Sequence, residues 1–268
     1  MITTSAGDVA VHTTGSGPPL VLLHANGSDH RDYEAVLPAL RSHWTVHQVD
    51  WPGHGTSGQA TDPTACGFAE ALPDVLLALG DVPAVVVGNS VGGFAALRTA
   101  ARRPELVRAL VLVDPGGFTP RWIGTTLACR AIGTAPLARR AYTFLPPVSL
   151  RHRNEWTARA IGRSRQGACD PDRIALFASV WRSFADPDHD ARPDASSITA
   201  PTLLVWGTQD PVLPWAVDGR RARRALPGAE VATLRCGHQP FIERPEEFLA
   251  VVDRFLAPIL ADTPERLR

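Results

Sequence analysis

Short apolar runs recur along the chain and alternate with stretches of helical periodicity. Predicted strands cover residues 20–23, 44–49, 85–87, 109–113, 202–206 and 230–234, and a hairpin is predicted over residues 2–14. Predicted helices cover residues 33–41, 65–79, 214–225 and 245–260. A continuous apolar run that ends at turn residues is typical of a strand with both faces buried. The alternation therefore predicts an α/β fold with a doubly wound, mostly parallel sheet.

The alternation stops over residues 118–197. This region contains helical patterns at 122–132, 154–161 and 173–184. Prolines, which we expect to break these helices, stand at positions 136, 146, 147, 171 and 187. We predict a core made of residues 1–117 and 198–268, with residues 118–197 inserted between two of its strands.

The composition argues against several classes of partner. Apolar residues make up 44% of the 268 positions, which is enough for a sizeable core, and 27 basic residues balance 27 acidic ones. A neutral chain gives no electrostatic reason to bind nucleic acid or an anionic membrane. The four cysteines are scattered without metal-site spacing, so we expect reduced thiols and no metal. The N-terminus lacks a signal-peptide pattern, and we expect a cytoplasmic protein without membrane segments. The oligomeric state stays open.

The predicted strand at 85–87 leads into Gly88-Asn89-Ser90-Val91-Gly92, and small residues with helical periodicity follow. This pattern predicts a sharp turn from strand to helix with Ser90 at its tip. Such a turn strains the serine backbone and brings its flanking residues close together, which glycine at positions 88 and 92 allows. The pattern favours a nucleophilic serine over one that only caps the helix.

Serine is a weak nucleophile at neutral pH and needs a base that an acid orients. Asp210 follows the predicted strand at 202–206, and His238 follows the one at 230–234. Ligand sites of open α/β sheets gather at the carboxyl ends of the strands. We therefore expect Ser90, Asp210 and His238 to converge there.

The order serine, aspartate, histidine is that of the α/β-hydrolases, and the chain resembles this family over nearly its whole length. The motifs that carry the resemblance are Leu22-Leu23-His24, Asp50-x-Pro52-Gly53-His54-Gly55-x-Ser57, the Ser90 turn, Gly207-x-x-Asp210, and Gly237-His238 with Glu243-Arg244-Pro245-Glu246-x-Phe248. The resemblance implies that Ser90 is the nucleophile, His238 the general base, and Asp210 the acid that orients His238. Asp114 also ends a predicted strand, but an ordinary turn explains it, so Asp210 is favoured.

The resemblance also implies an oxyanion hole. One donor is the Val91 amide at the start of a helix. The second maps onto the Asn26 amide, but Ala25 stands where the family usually has glycine, so either Asn26 or Ala25 provides it. His24 and His54 are expected to be structural, with hydrogen bonds to their own loops.

In the family, an insertion in this part of the chain forms a helical lid over the serine, and residues 118–197 fit that place. We predict that Trp122, Trp156 and Trp181, together with Ala25, contact the substrate, although most lid aromatics are expected to pack against the core. The region holds twelve arginines and seven acidic residues. These arginines either bind a carboxylate on the substrate or face solvent.

Ser90 excludes the relatives that use aspartate at this position to displace halide or open epoxides. We expect a hydrolase that cleaves a carboxylic ester or lactone of a small or medium-sized, largely apolar substrate through an acyl-enzyme, without a cofactor. Two alternatives stay open. The turn also resembles that of hydrolases that cleave a carbon–carbon bond of a diketone. A lyase, acyltransferase or cyclase could use the same scaffold with His238 as its base. A silent binding protein is disfavoured because it needs no complete triad.

Overall fold

A central sheet of eight strands organises the chain. The computed structural model describes residues 1–80 and 83–262. The strands are β1 (Ile2–Thr4), β2 (Gly7–Thr14), β3 (Pro19–Leu23), β4 (Thr45–Asp50), β5 (Ala84–Asn89), β6 (Val107–Val113), β7 (Thr202–Gly207) and β8 (Glu230–Leu234). Their order is β1-β2-β4-β3-β5-β6-β7-β8. The β1–β2 and β2–β4 pairs are antiparallel, and the other pairs are parallel, which confirms the predicted fold class.

Helices cover both faces of this sheet. They are α1 (Leu37–Leu40), α2 (Ala65–Leu79), α3 (Val91–Arg102), α4 (Ile123–Ile132), α5 (Ala135–Ser149), α6 (Glu155–Gly167), α7 (Pro171–Ser183), α8 (Arg192–Ala195), α9 (Arg220–Ala225), α10 (Pro240–Glu243) and α11 (Pro245–Ala261). Successive strand residues point to opposite faces. Val86 therefore packs in the cluster that contains α2 and α3, while Val85 and Val87 pack in the cluster that contains α11.

The predicted helix at 33–41 is shorter and irregular. A 3-10 turn covers His30–Tyr33, and α1 covers only Leu37–Leu40, with proline in its first turn. The Tyr33 side chain is fully buried, and its hydroxyl donates to the Leu23 carbonyl at 2.9 Å. The segment from His30 to Leu40 therefore buries Tyr33 and does not form one continuous helix.

Five helices, α4 to α8, lie between β6 and β7, and we call them the inserted helices. The predicted breaks at Pro146 and Pro147 are wrong, because both residues lie inside the last turn of α5. Pro146 has no N–H to donate to the Tyr142 carbonyl four residues earlier. The Ser164 hydroxyl of α6 donates to that carbonyl at 2.5 Å instead. A tertiary hydrogen bond thus replaces the one that proline removes. No helix in residues 1–80 and 83–262 is long and apolar enough to span a membrane.

We expect Ser164→Ala to lower the free energy of unfolding by about 1–3 kcal/mol, because the buried Tyr142 carbonyl loses its donor. Denaturant unfolding measures this loss. The exposed Ser196 also donates to a backbone carbonyl, at 2.9 Å, so Ser196→Ala is a matched control, expected within about 0.5 kcal/mol of the native chain. In a Pro146→Ala background, the restored N–H should reduce the loss caused by Ser164→Ala. An equal loss in both backgrounds would contradict this account.

Candidate active site

Ser90 lies between the end of β5 and the start of α3, in a strained backbone conformation with φ 55° and ψ −115°. The chain accepts this strain only because glycines surround it. A Cβ atom at position 88 would lie 2.4 Å from the Gly92 carbonyl oxygen, and one at position 92 would lie 2.5 Å from the Leu23 carbonyl oxygen. Backbone hydrogen bonds to β6 and the loop after it fix the turn: the Ser90 amide donates to Val113, and its carbonyl accepts from Gly116.

His238 and Asp210 form a short hydrogen bond beside this turn. The Nδ1 atom of His238 lies 2.6 Å from Oδ2 of Asp210, and both residues are buried. The Val212 amide donates to the other carboxylate oxygen at 2.7 Å, so the carboxylate is oriented from both sides. Burial alone would lower the pKa of His238, but the charge of Asp210 and its hydrogen bond outweigh burial and raise the pKa.

Ser90 and His238 line one cavity, whereas Asp210 lies behind His238 and outside the cavity wall. Because Nδ1 of His238 contacts Asp210, Nε2 is the ring nitrogen left for the serine. No hydrogen bond joins Ser90 to His238 in the described part of the chain. Hydrogen bonds between catalytic side chains are often long before substrate binds, so the lack of this bond is compatible with Ser90 and His238 acting as a pair.

Asp114 is a second buried carboxyl near His238. Its Oδ1 atom accepts from the Gly207 amide at 3.0 Å and so links the ends of β6 and β7. Burial, and then the negative charge of Asp210, raise the pKa of Asp114 well above its usual value. Both causes favour the protonated form of the Asp114 carboxyl. The hydrogen bond to His238 comes from Asp210, as the sequence favours.

The loop after β3 is fixed by two histidines. His24 uses both ring nitrogens: Nδ1 contacts the Ala25 carbonyl at 2.7 Å, and Nε2 accepts from the Trp51 amide at 3.1 Å. Nε2 of His54 accepts from the Gly27 amide at 3.3 Å, and burial lowers the pKa of His54 to about 3. Both histidines thus position this loop, as a structural role requires.

The predicted oxyanion donors lie on two sides of Ser90. Val91 is the first residue of α3, so its amide has no acceptor within the helix. The Ala25 carbonyl accepts from His24 and from the Ser28 amide. Because N–H and C=O of one trans peptide point in opposite directions, the Asn26 amide points away from His24. Ala25, Asn26 and Val91 all line the cavity with Ser90.

The cavity has a volume of about 270 Å³ and lies between the carboxyl ends of the parallel strands and the inserted helices. Trp181 lines it, as do Tyr142, Phe177 and Phe184, which the sequence did not distinguish from core aromatics. Phe177 packs edge-on against Tyr142 with ring centroids 5.0 Å apart. The inserted helices therefore contribute four aromatic side chains to the wall, and these suit an apolar part of a substrate.

Two predicted substrate contacts lie elsewhere. Trp122 precedes α4 and is 61% exposed, away from the cavity wall. Trp156 on α6 packs against the core cluster that contains α11, with the Arg159 guanidinium 4.5 Å above its ring. The helix face that each residue occupies depends on how the inserted helices dock, which a single sequence does not specify.

The arginines that line the cavity already have partners. Arg163 contacts the buried Asp32 at 3.2 Å, and Arg173 contacts Asp170 at 3.4 Å. Arg121 donates to the carbonyls of Ala185 and Asp186. Arg163 and Arg173 are therefore already partly neutralised by carboxylates, which weakens their attraction for an acidic substrate.

Two groups of histidine and acidic side chains come close enough to share a metal ion within residues 1–80 and 83–262. They are Asp114 with Asp210 and His238, and His12 with His30 and Asp50. In the second group, Asp50 also accepts hydrogen bonds from the amides of His30 and Thr56. Internal hydrogen bonds therefore account for the potential metal-ligand atoms of the second group.

Comparison with known proteins agrees with this architecture. The family model described as the alpha/beta hydrolase fold matches residues 18–245. A pimeloyl-[acyl-carrier protein] methyl ester esterase of Chromobacterium violaceum is 30% identical, covering 92% of this chain and 97% of that protein. An uncharacterized protein of Mycobacterium tuberculosis is also 30% identical, covering 92% of this chain and 77% of that one. The solved structure of an enol-lactonase from Burkholderia xenovorans LB400 superposes with a TM-score of 0.78 at 24% identity, covering 95% of this chain and 98% of that one. The chain therefore belongs to the α/β hydrolase fold family.

Proposed function

We propose that this protein is a serine hydrolase that cleaves a carboxylic ester or lactone through an acyl-enzyme. The proposal rests mainly on the 2.6 Å hydrogen bond between His238 and Asp210. His238 lines the same cavity as the strained Ser90. A nucleophile, a base and an orienting acid in this arrangement are the parts that acyl transfer to serine requires.

In the first half of the reaction, Oγ of Ser90 attacks the substrate carbonyl carbon while Nε2 of His238 takes its proton. The carbonyl electron pair moves to oxygen, where the amides of Val91 and Asn26 donate to the developing charge. The intermediate then collapses, the carbon–oxygen bond to the leaving alcohol breaks, and His238 returns its proton to that alcohol. Asp210 stabilises the protonated imidazole throughout.

In the second half, a water molecule replaces the alcohol. His238 takes a proton from water as the water oxygen attacks the acyl carbon, and the proton then passes to Oγ of Ser90 as the acid product leaves. A lactone follows the same steps and yields a hydroxy acid. The two relatives named above for a methyl ester and an enol-lactone support carboxylic esters as the substrate class.

The aromatic cavity wall supports an acyl or alcohol group that is small to medium-sized and apolar. Phe177, Trp181 and Phe184 offer this surface, while two of the three arginines that line the cavity, Arg163 and Arg173, are paired with carboxylates. We therefore favour neutral esters over esters that carry a free carboxylate.

Treatment with a fluorophosphonate should add one probe mass to the native protein and none to Ser90→Ala, because only an activated serine attacks the phosphorus. Intact-mass spectrometry measures the adduct. Ser149 also lines the cavity, so Ser149→Ala is a matched control that should keep the adduct. The same adduct on Ser90→Ala would show that another residue is the nucleophile.

Ester hydrolysis should require neutral His238, so kcat/KM should rise with pH through a midpoint above 6.5. Asp210→Asn removes the charge that raises the pKa of His238, so that burial dominates and the midpoint shifts downward. The maximal rate should also fall by about 10³-fold to 10⁴-fold. A pH series with a p-nitrophenyl ester measures both effects.

Asp114→Asn is the matched control for this test, because it makes the same change at a nearby buried carboxyl that does not contact His238, and it keeps the acceptor for Gly207. We expect its midpoint to match that of the native protein and its rate to stay within about tenfold. If Asp114→Asn lost activity while Asp210→Asn kept it, the two acids would have been assigned in the wrong order.

A further inference from the structure

Large apolar side chains at the surface are concentrated around α4 and α5. Ten large hydrophobic side chains are exposed in the described part of the chain, and six of them lie between positions 122 and 148. These six are Trp122, Ile123, Leu127, Leu137, Phe144 and Val148. Single exposed apolar residues are normal, but a group of this size on neighbouring helices marks an interaction surface.

The same segment carries positive charge only. Residues 115–154 contain six arginines and no aspartate or glutamate, although the whole chain is balanced at 27 against 27. Three of these arginines, Arg130, Arg139 and Arg140, are exposed on α4 and α5. None of the six forms an ion pair within residues 1–80 and 83–262. The arginines that do form ion pairs lie outside positions 115–154. The balanced total charge of the chain therefore includes a segment, residues 115–154, whose charges are all positive.

Apolar and basic side chains share one face of each helix. Residues three, four or seven positions apart lie on the same side of a helix. The sets with this spacing are Ile123, Leu127 and Arg130 on α4, and Leu137, Arg140 and Phe144 on α5. We call these residues, with Trp122, Arg139 and Val148, the α4–α5 surface. Other residues of both helices, among them Cys129 and Leu145, line the cavity, so each helix borders both regions.

We propose that the α4–α5 surface docks on an anionic lipid–water interface. Helices that lie in such an interface combine Trp, Phe and Leu with basic residues, and their arginines reach the anionic headgroups while the apolar side chains enter the acyl region. Here the positive charge complements anionic lipid, and the apolar side chains supply the insertion. Contact through one face requires no membrane-spanning helix.

The degree of exposure favours a fluid interface over a protein partner. Ile123 is 76% exposed, Phe144 64% and Trp122 61%, so these side chains project into solvent. Side chains that receive a partner's anchoring residue usually lie in recessed, well-packed pockets. A symmetric contact between two copies of this chain would place arginines against arginines without an acidic residue between them.

Flotation with lipid vesicles tests the proposal independently of catalysis. Vesicles of ether-linked phosphatidylcholine, with or without ether-linked phosphatidylglycerol, contain no acyl ester to hydrolyse. We expect the native protein to bind vesicles that contain phosphatidylglycerol, and this binding to weaken as salt increases. Each cation near the surface contributes about fivefold to binding, so Arg130→Gln/Arg139→Gln/Arg140→Gln should weaken it by about tenfold or more. Ile123→Ser/Leu127→Ser should weaken it as well.

The chain offers matched controls for both variants. Arg220→Gln/Arg223→Gln/Arg224→Gln removes the same charge from exposed positions of α9, and Val217→Ser/Val231→Ser removes exposed apolar side chains elsewhere. Both should bind like the native protein. Absence of binding to phosphatidylglycerol vesicles would overturn the proposal, as would equal losses in the α9 variant. A native dimer in sedimentation that Ile123→Ser/Leu127→Ser converts to monomer would assign the surface to a second copy. Binding of a poly-glutamate peptide without vesicle binding would assign it to an acidic protein.

Discussion

The close approach of β5, α3 and β3 at Ser90 is the constraint on which the rest of the site depends. Atoms of the Gly88, Gly92 and Leu23 backbones occupy space that a Cβ would need, so the turn exists only with glycine at positions 88 and 92. A residue held at such a backbone conformation costs about 1–3 kcal/mol, which the buried sheet around it offsets. The same approach places the loop after β3 beside the first amide of α3, so one steric fit positions both the nucleophile and its proposed anion donors.

Two buried carboxyls lie near one histidine, and they have different partners. Asp210 contacts His238 and accepts from the Val212 amide. Asp114 accepts from one amide, is fully buried, and lies near the charge of Asp210, so its pKa rises. A negative charge beside a buried carboxyl favours the protonated form of that carboxyl. Asp114 therefore connects β6 to β7, while Asp210 is the carboxyl that contacts His238.

The sequence predicts those parts of the molecule that local chemistry determines. Apolar runs mark β3, β5, β6 and β7 because a strand that is buried on both faces needs a continuous apolar sequence, and the serine turn has a pattern that backbone sterics impose. The sequence predicts a helix break at Pro146, where α5 in fact continues, because the hydroxyl that replaces the missing N–H comes from Ser164, eighteen residues away. Trp122 and Trp156 were misplaced for a similar reason: periodicity shows that a helix has two faces, but docking decides which face meets the cavity. The pairing of Arg163 with Asp32 also joins distant segments.

The net charge of the chain likewise does not show where along the chain the charges are concentrated. The balanced net charge describes how weakly the whole protein attracts charged partners from distances well beyond the Debye length, which is about 8 Å at physiological ionic strength. At contact distance, only the nearest charges matter, and every charged residue of positions 115–154 is an arginine. Because α4 and α5 border the cavity as well as the exposed apolar surface, whatever covers that surface also lies next to the cavity that contains Ser90. An apolar ester that partitions into such an interface would be concentrated beside the aromatic cavity wall rather than diluted in bulk water.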